Sequence, residues 1–283
     1  MTDPLPTLAV TGSTGAVGGL VARALADAGV ATRLLARTPA RAPALAGAVA
    51  VPCEYGDREQ AVRALDGVDT LLMVSAAEDE RRLEQHRAFI DAAREAGVGH
   101  VVYTSFLAAA RNAVFTLGRD HYWTEEYLRA AGLTYTFLRD NLYLDFLPLL
   151  AGADGVIRGP AGDGRVSAVA RADVARVAVA VLRDPAAHRD VTYDLTGREA
   201  LTLGEVAAQL TALRGTPVTY HDETLEEAYA SRAAYGAPDW QVDAWVSTYT
   251  SIASGVQAQI SADVERVTGQ PALTLAELLS GRG

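Results

Sequence analysis

A chain of 283 residues with 49% apolar content can bury one large α/β core, or a nucleotide domain carrying a smaller lobe. Its formal net charge of −10 disfavours nucleic acid and anionic membrane as partners, because both need a surface of the opposite sign. All 25 basic residues are arginine, which excludes a Schiff base, a phosphate-loop lysine and a tyrosine activated through a Tyr-x-x-x-Lys pair.

In chain order, Met1-Thr2-Asp3-Pro4 carries no positive region or apolar signal core, and no run of about 18 apolar residues follows. A cytoplasmic protein without a membrane partner is therefore expected. The apolar run Leu8-Ala9-Val10 then enters a glycine-rich turn, Gly12-Ser13-Thr14-Gly15-Ala16-Val17-Gly18, and the helical pattern from Leu20. Strand, turn and helix in that order predict a dinucleotide site. Gly12 permits the tight turn, Gly15 lets the backbone approach a pyrophosphate, and Gly18 lets the helix pack close while its N–H groups face the anion.

Strands are expected at residues 31–36, 49–52, 69–75, 101–105 and 133–138, and helices at 58–65, 78–96 and 122–131. The alternation predicts an α/β fold with a doubly wound parallel sheet. Beyond Tyr143 it fades into a Gly-rich stretch at 155–170, a helix at 172–182, a strand at 190–195 and a helix from Leu201, where Thr202 and Glu205 have capping-box spacing. Helices over 219–255 carry Tyr229, Tyr235, Trp240, Trp245 and Tyr249, which read as core, with a ligand pocket as the alternative. The expected division is a nucleotide domain over 1–150 and a smaller substrate lobe over 151–283, interleaved with the first.

Nineteen residues beyond Gly18, where an NAD site usually places an acid for the ribose 2′-hydroxyl, the chain has Arg37. This favours a 2′-phosphate, so NADP(H) is the expected cofactor and NAD(H) the second candidate. Asp57 either reaches the adenine amino group or caps the helix that follows. Ser75 and Thr104-Ser105 end strands on the ligand side of such a sheet. Ser105 either bonds a substrate oxygen or satisfies a strand-end backbone group. Cys53 reads as a small buried apolar residue, and the scattered histidines predict no metal site.

Those motifs, with Tyr103-Thr104-Ser105, His121-Tyr122-Trp123-Thr124-Glu125-Glu126, Tyr135-Thr136-Phe137-Leu138-Arg139, Ala170-Arg171-Ala172-Asp173 and Asp263-Val264-Glu265-Arg266-Val267-Thr268-Gly269, together resemble the NmrA-like atypical short-chain dehydrogenases. Within that family the chain is most similar to the NADPH-dependent quinone oxidoreductase branch, over nearly its whole length. The resemblance implies a Rossmann-like domain with a small C-terminal lobe and a substrate pocket lined by Phe106, Leu107, Asn141, Leu142 and Tyr143. The chain departs from the family where a lysine is frequent after strand five, placing Glu126 there. His121 begins the segment that approaches the nicotinamide in relatives, and its ordinary pKa lies near neutrality, so it is the best titratable candidate. A helix-start or interface histidine is the alternative. Tyr122 and Tyr143 are further hydrogen-bond donors, and Glu125 reads as helical framework.

The expected activity is hydride transfer from NADPH to a quinone or related aromatic carbonyl, with a small aromatic molecule as substrate and a homodimer as the candidate assembly. Two other readings stay open: an oxygenase-like tailoring enzyme acting on a polycyclic aromatic metabolite, and a dinucleotide-binding redox sensor without turnover.

Overall fold

A computed structural model describes residues 5–281; residues 1–4, on which the cytoplasmic expectation partly rests, lie outside them. Among the described residues no helix is long and apolar enough to cross a membrane. The chain runs β1 (Leu8–Thr11), α1 (Ala16–Asp27), β2 (Thr32–Ala36), β3 (Ala48–Pro52), α2 (Arg58–Leu65), β4 (Thr70–Met73), α3 (Arg82–Glu95), β5 (His100–Phe106), α4 (Thr116–Ala130) and β6 (Thr134–Asp140). It continues through β7 (Val156–Gly159), β8 (Arg165–Val166), α5 (Arg171–Arg183), β9 (Val191–Leu195), β10 (Leu201–Thr202), α6 (Leu203–Arg214), β11 (Thr219–Asp222), α7 (Leu225–Ala233) and α8 (Asp239–Ala253), and ends in two short helices.

Seven strands form one sheet in the order β3-β2-β1-β4-β5-β6-β9, and the pairs from β3 through β5 are parallel. β2, β4 and β5 are buried along their whole length, as strands covered by helices on both faces must be. The order reverses between β1 and β4, the switch point at which open α/β sheets bind ligands beyond the strand ends. This is the expected Rossmann-like fold.

Two compact units divide the chain. The first takes in the chain as far as Ser105, Tyr122–Arg139 and Val174–Tyr193; the second takes in Phe106–His121, Asp140–Asp173 and the chain from Asp194 onward. A cluster including Leu65, Leu71, Phe89, Ile90, Tyr103 and Phe137 forms the first unit's core. In the second unit Leu144, Leu147, Ile157, Leu203, Val206 and Ile252 pack together, with β7–β11 and β8–β10 as two-stranded sheets.

Several elements depart from expectation. The helix expected at 78–96 starts at Arg82, because Asp79 turns the chain: its carboxylate accepts the Arg81 N–H at 2.7 Å and its carbonyl the Arg82 N–H at 3.0 Å. The helix expected at 122–131 starts at Thr116, whose N–H donates to Ser247 Oγ at 3.1 Å, and Gly118 lies inside it. His121 is thus interior to α4 and not at its start. Residues 219–222 are a strand paired with β7 and not helix. The capping box does form, with Thr202 and Glu205 each bonding the other's backbone N–H, but it places the start of α6 at Leu203. The core reading fails for Tyr229 and Tyr235, which are exposed, and Trp245 and Tyr249 join Tyr235 in lining a cavity.

Candidate active site

In the first unit, the turn between β1 and α1 has the features an anion cradle requires. Gly12 is left-handed (φ +66), a conformation that glycine adopts without strain. Gly15 is the N-cap of α1 at φ −95, ψ −177, with no side-chain cap and no acid in the first turn. The first N–H groups of a helix have no partner within it, so those of Ala16, Val17 and Gly18 face outward from the turn with Ser13 and Thr14 before them. A Cβ at Gly18 would lie 2.4 Å from Gly12 O, which accounts for the third glycine by close helix packing. Ser13 is buried, yet its Oγ has no hydrogen-bond partner among the described residues. An orphaned hydroxyl beside free helix N–H groups fits a phosphate.

Arg37 stands exposed just past β2 with no side-chain partner among the described residues, available to a charged ligand group. Asp57 accepts the Gln60 N–H at 2.9 Å and so serves as the α2 cap. The segment after β4 is held by side chains from four other elements. Tyr55 Oη donates to Val74 O at 2.6 Å and sits 2.6 Å from Thr11 Oγ1, which accepts the Val74 N–H at 2.8 Å. Thr104 Oγ1 accepts the Ser75 N–H at 2.8 Å, and His86 Nε2 accepts the Ala76 N–H at 2.9 Å. Arg82 Nε donates to Ala76 O at 2.9 Å. Sequence reasoning named Ser75 and Thr104 as cofactor contacts, whereas Tyr55, His86 and Arg82 were not named among them.

Because Nε2 of His86 accepts, its proton sits on Nδ1, which donates to Thr124 Oγ1 at 2.9 Å. Complete burial, reinforced by the Arg82 charge, holds its pKa well below the ordinary histidine value. The folded state therefore favours the neutral ring, and the unfolded chain binds the extra proton once pH falls below about 6.5. Stability is complete above that pH and is lost as pH falls toward the folded pKa. His86→Gln is expected to reduce the acid-side slope of unfolding free energy by up to about 1.4 kcal/mol per pH unit, read from urea melts between pH 4.5 and 6.5.

Ser105 ends the β5 portion of the first unit fully buried, and its hydroxyl donates to Glu125 Oε1 at 2.6 Å. Glu125, read from sequence as helical framework, is the centre of a buried cluster. Arg139 donates to it twice, Nε to Oε1 at 2.8 Å and Nη2 to Oε2 at 2.6 Å. The visible signal was a strand-end arginine following an acid on the preceding helix. Glu125→Gln would leave Arg139 without its counter-charge, at about 2–3 kcal/mol, below the full cost of breaking a buried pair because Arg139 keeps partial solvent contact. Glu126→Gln, on the exposed neighbour, is expected to change stability by less than about 0.5 kcal/mol in the same urea melts.

In the second unit, Phe106 and Leu107 are buried, with the Phe106 ring 4.9 Å from Phe115 and 5.9 Å from His121 between centroids. The turn after Leu107 carries Ala108 at φ +60, a non-glycine residue in the left-handed region. Asn141 is buried and spent on the fold: Nδ2 donates to Ser167 Oγ at 3.0 Å and Gln257 O at 3.0 Å, while Oδ1 accepts the Leu142 N–H at 2.8 Å. Leu142 and Tyr143 are half-buried. Tyr143 Oη donates to Asp140 Oδ2 at 2.5 Å. Burial first, and then the Asp140 carboxylate, push the Tyr143 phenol well above its ordinary pKa. Cys53, in the first unit, is buried and pushed up to about 12 by desolvation, then by Asp57 and Glu54, which fits its reading as an inert apolar residue.

Residues 12–185 match the NAD(P)H-binding family model. The chain is 36% identical over 280 residues to quinone oxidoreductase 2 of Escherichia coli, covering 96% of this chain and 97% of that protein. It is 34% identical over 274 residues to the NAD(P)H azoreductase of Xenophilus azovorans, covering 95% of each. The crystal structure of an NADPH-dependent quinone oxidoreductase from Escherichia coli complexed with NADPH superposes with a TM-score of 0.88 at 34% identity, covering 97% of this chain and 99% of that one. With a full-length match in sequence and fold and a glycine cradle that suits a dinucleotide, the chain belongs to the NAD(P)H-binding, NmrA-like atypical short-chain dehydrogenases.

Proposed function

We propose that the chain is an NADPH-dependent reductase that passes hydride to a quinone or a related aromatic carbonyl. The observation that carries this choice of acceptor is the state of the candidate proton donors. The Ser105 proton goes to Glu125 and the Tyr143 proton to Asp140, both at short distance, and the Asn141 amide is spent on Ser167 and Gln257. No lysine exists to replace them. A simple ketone needs a strong acid as its oxygen gains charge, whereas a quinone spreads that charge by conjugation and can take its proton from a weaker acid, a role that falls to His121 in this reading. The match to a quinone oxidoreductase over nearly the whole chain supports the same acceptor.

NADPH, when bound, supplies the hydride. The protein's part is to hold and orient. Backbone N–H groups of Ala16, Val17 and Gly18 and the Ser13 hydroxyl would meet the pyrophosphate, and Arg37 would pair with the 2′-phosphate. The bonds from Tyr55, Thr104, His86 and Arg82 fix residues 74–76 beside the switch point, so that this segment presents one shape to the ligand. Phe106, Leu107, Leu142 and the ring of Tyr143 would supply apolar surface to a flat substrate. The proposal includes a cytoplasmic location, with no nucleic-acid partner at a net charge of −10 and a homodimer as the candidate assembly.

Arg37 sets the cofactor preference in this reading. NADPH is expected to bind more tightly than NADH by about 1–3 kcal/mol, and Arg37→Ala to erase most of that gap in calorimetric titrations. Equal affinities in the unmodified protein would remove Arg37 from the site. The activity itself is tested by following NADPH absorbance with a panel of quinones, anaerobically and in air. Turnover without oxygen supports the reductase. Product formed only with oxygen would point to the tailoring enzyme, and tight NADPH binding without turnover to the sensor.

A further inference from the structure

We propose that the second unit carries a binding site for a planar aromatic molecule bearing a carbonyl or phenolic oxygen, in a cavity of about 510 Å³ walled by Phe146, Tyr235, Trp245 and Tyr249. The volume falls within the range of about 300–1,000 Å³ typical of small-molecule sites. Its rings come from three places in the chain: Phe146 after β6, Tyr235 after α7, and Trp245 and Tyr249 one turn apart on α8. Tyr235 meets Trp245 edge to face at 5.8 Å, and Leu149, Leu150 and Val156 complete the apolar wall. Tyr235 and Leu149 are 74% and 70% exposed, so the rim leaves large apolar groups in water that an aromatic occupant would cover.

The cavity is built and not merely a gap. Arg232 is buried, pairs with Glu223 at 2.6 Å and lies 5.1 Å over the Tyr249 ring, holding that ring in place. On β7, a Cβ at Gly159 would lie 2.1 Å from Tyr249 Cδ1, so the bare backbone there is what seats the ring.

The polar groups select the occupant. Ser231 Oγ donates to Ala228 O and accepts from Arg232, while Thr248 Oγ1 donates to Ala244 O, so neither hydroxyl has a proton to offer. Arg158 gives Nη1 to Asp154 and to Val156 O and Nη2 to Asp154, and keeps Nε–H and one Nη2–H of its five donors. Both guanidiniums already have carboxylate partners, which disfavours an anion. What fits is a neutral, flat ring system whose oxygen accepts from Arg158.

This inference needs no coenzyme and does not rest on the reductase reading. The test is a calorimetric titration of the full chain, without NADPH, with 2-naphthol, which is not a hydride acceptor. One-to-one saturable binding with quenched tryptophan emission is expected. Ser231→Trp, introduced from an exposed position on α7, and Trp245→Ala should each weaken it at least about tenfold. Arg158→Met should weaken 2-naphthol but not naphthalene, and Gly15→Val should leave both unchanged. Absence of saturable binding, or affinity untouched by both Ser231→Trp and Trp245→Ala, overturns the site. So does a loss of self-association on Ser231→Trp without any naphthol binding, which would make the cavity a contact between two copies of this chain. Quinone turnover alongside absent naphthol binding would sink this inference and leave the reductase standing.

Discussion

Gly15→Val is expected to weaken NADPH binding by about 10²–10⁴-fold, the loss of two charge-assisted hydrogen bonds from backbone to pyrophosphate at about 1.5–3 kcal/mol each. The backbone at Gly15, φ −95 and ψ −177, is ordinary extended chain in which valine is comfortable, so conformation does not require glycine there. Space does. A Cβ would find only Gly12 O nearby, at 3.3 Å, and would otherwise project into the opening where the N–H groups of α1 point. The thermal midpoint should therefore stay within a few degrees of the parent while affinity collapses. Gly18 is the contrasting case, since its Cβ would fall 2.4 Å from Gly12 O and 2.6 Å from Thr11 O, both fixed backbone. Gly18→Ala should lower stability first, by about 1–3 kcal/mol of overpacking strain, and binding only as a consequence. Calorimetric NADPH titration and thermal melts on both variants separate the two roles. Parent-like affinity in Gly15→Val would move the pyrophosphate elsewhere.

The residues that could be read from sequence are those whose reasons are local. α2 over Arg58–Leu65 and the Thr202/Glu205 capping box follow from neighbours within one helical turn, and the Gly12/Gly15/Gly18 spacing is contained in one strand–turn–helix unit. What escaped depends on partners distant in the chain. Tyr55 meets Thr11 across 44 residues, and His86 meets Thr124 across 38. Neither spacing has a sequence signature, so the bonds that hold residues 74–76 were invisible. Glu125 looked like framework because Ser105 and Arg139 reach it from two different strands. The strand at Thr219–Asp222 exists through its pairing with β7, more than 50 residues upstream, and without that partner its sequence offers little preference. Gly118 ordinarily costs helix stability, which hid the first turn of α4 and put His121 at a helix start that the chain does not have.

His121→Ala is expected to lower kcat by about 10²–10⁴-fold with little change in KM, the scale of general acid–base assistance. Hydride transfer to a quinone leaves one oxygen in need of a proton before the hydroquinone can depart. Ser105 and Tyr143 have committed theirs to carboxylates, and the raised Tyr143 pKa makes that phenol a poor acid. Among the candidates, His121 carries the side chain that enzymes most often use to pass a proton. His121 is buried at 6% exposure, with its ring beside Phe106 and one turn of α4 ahead of Glu125, so the helix fixes its position. If it relays the proton, His121→Ala should also remove one limb of the pH profile of kcat, and a solvent isotope effect should grow as proton delivery becomes limiting. A side chain that only lines the substrate surface would instead raise KM and leave kcat and its pH profile in place. Values of kcat and KM both within a factor of about two of the parent would assign His121 to the fold and leave proton delivery to solvent.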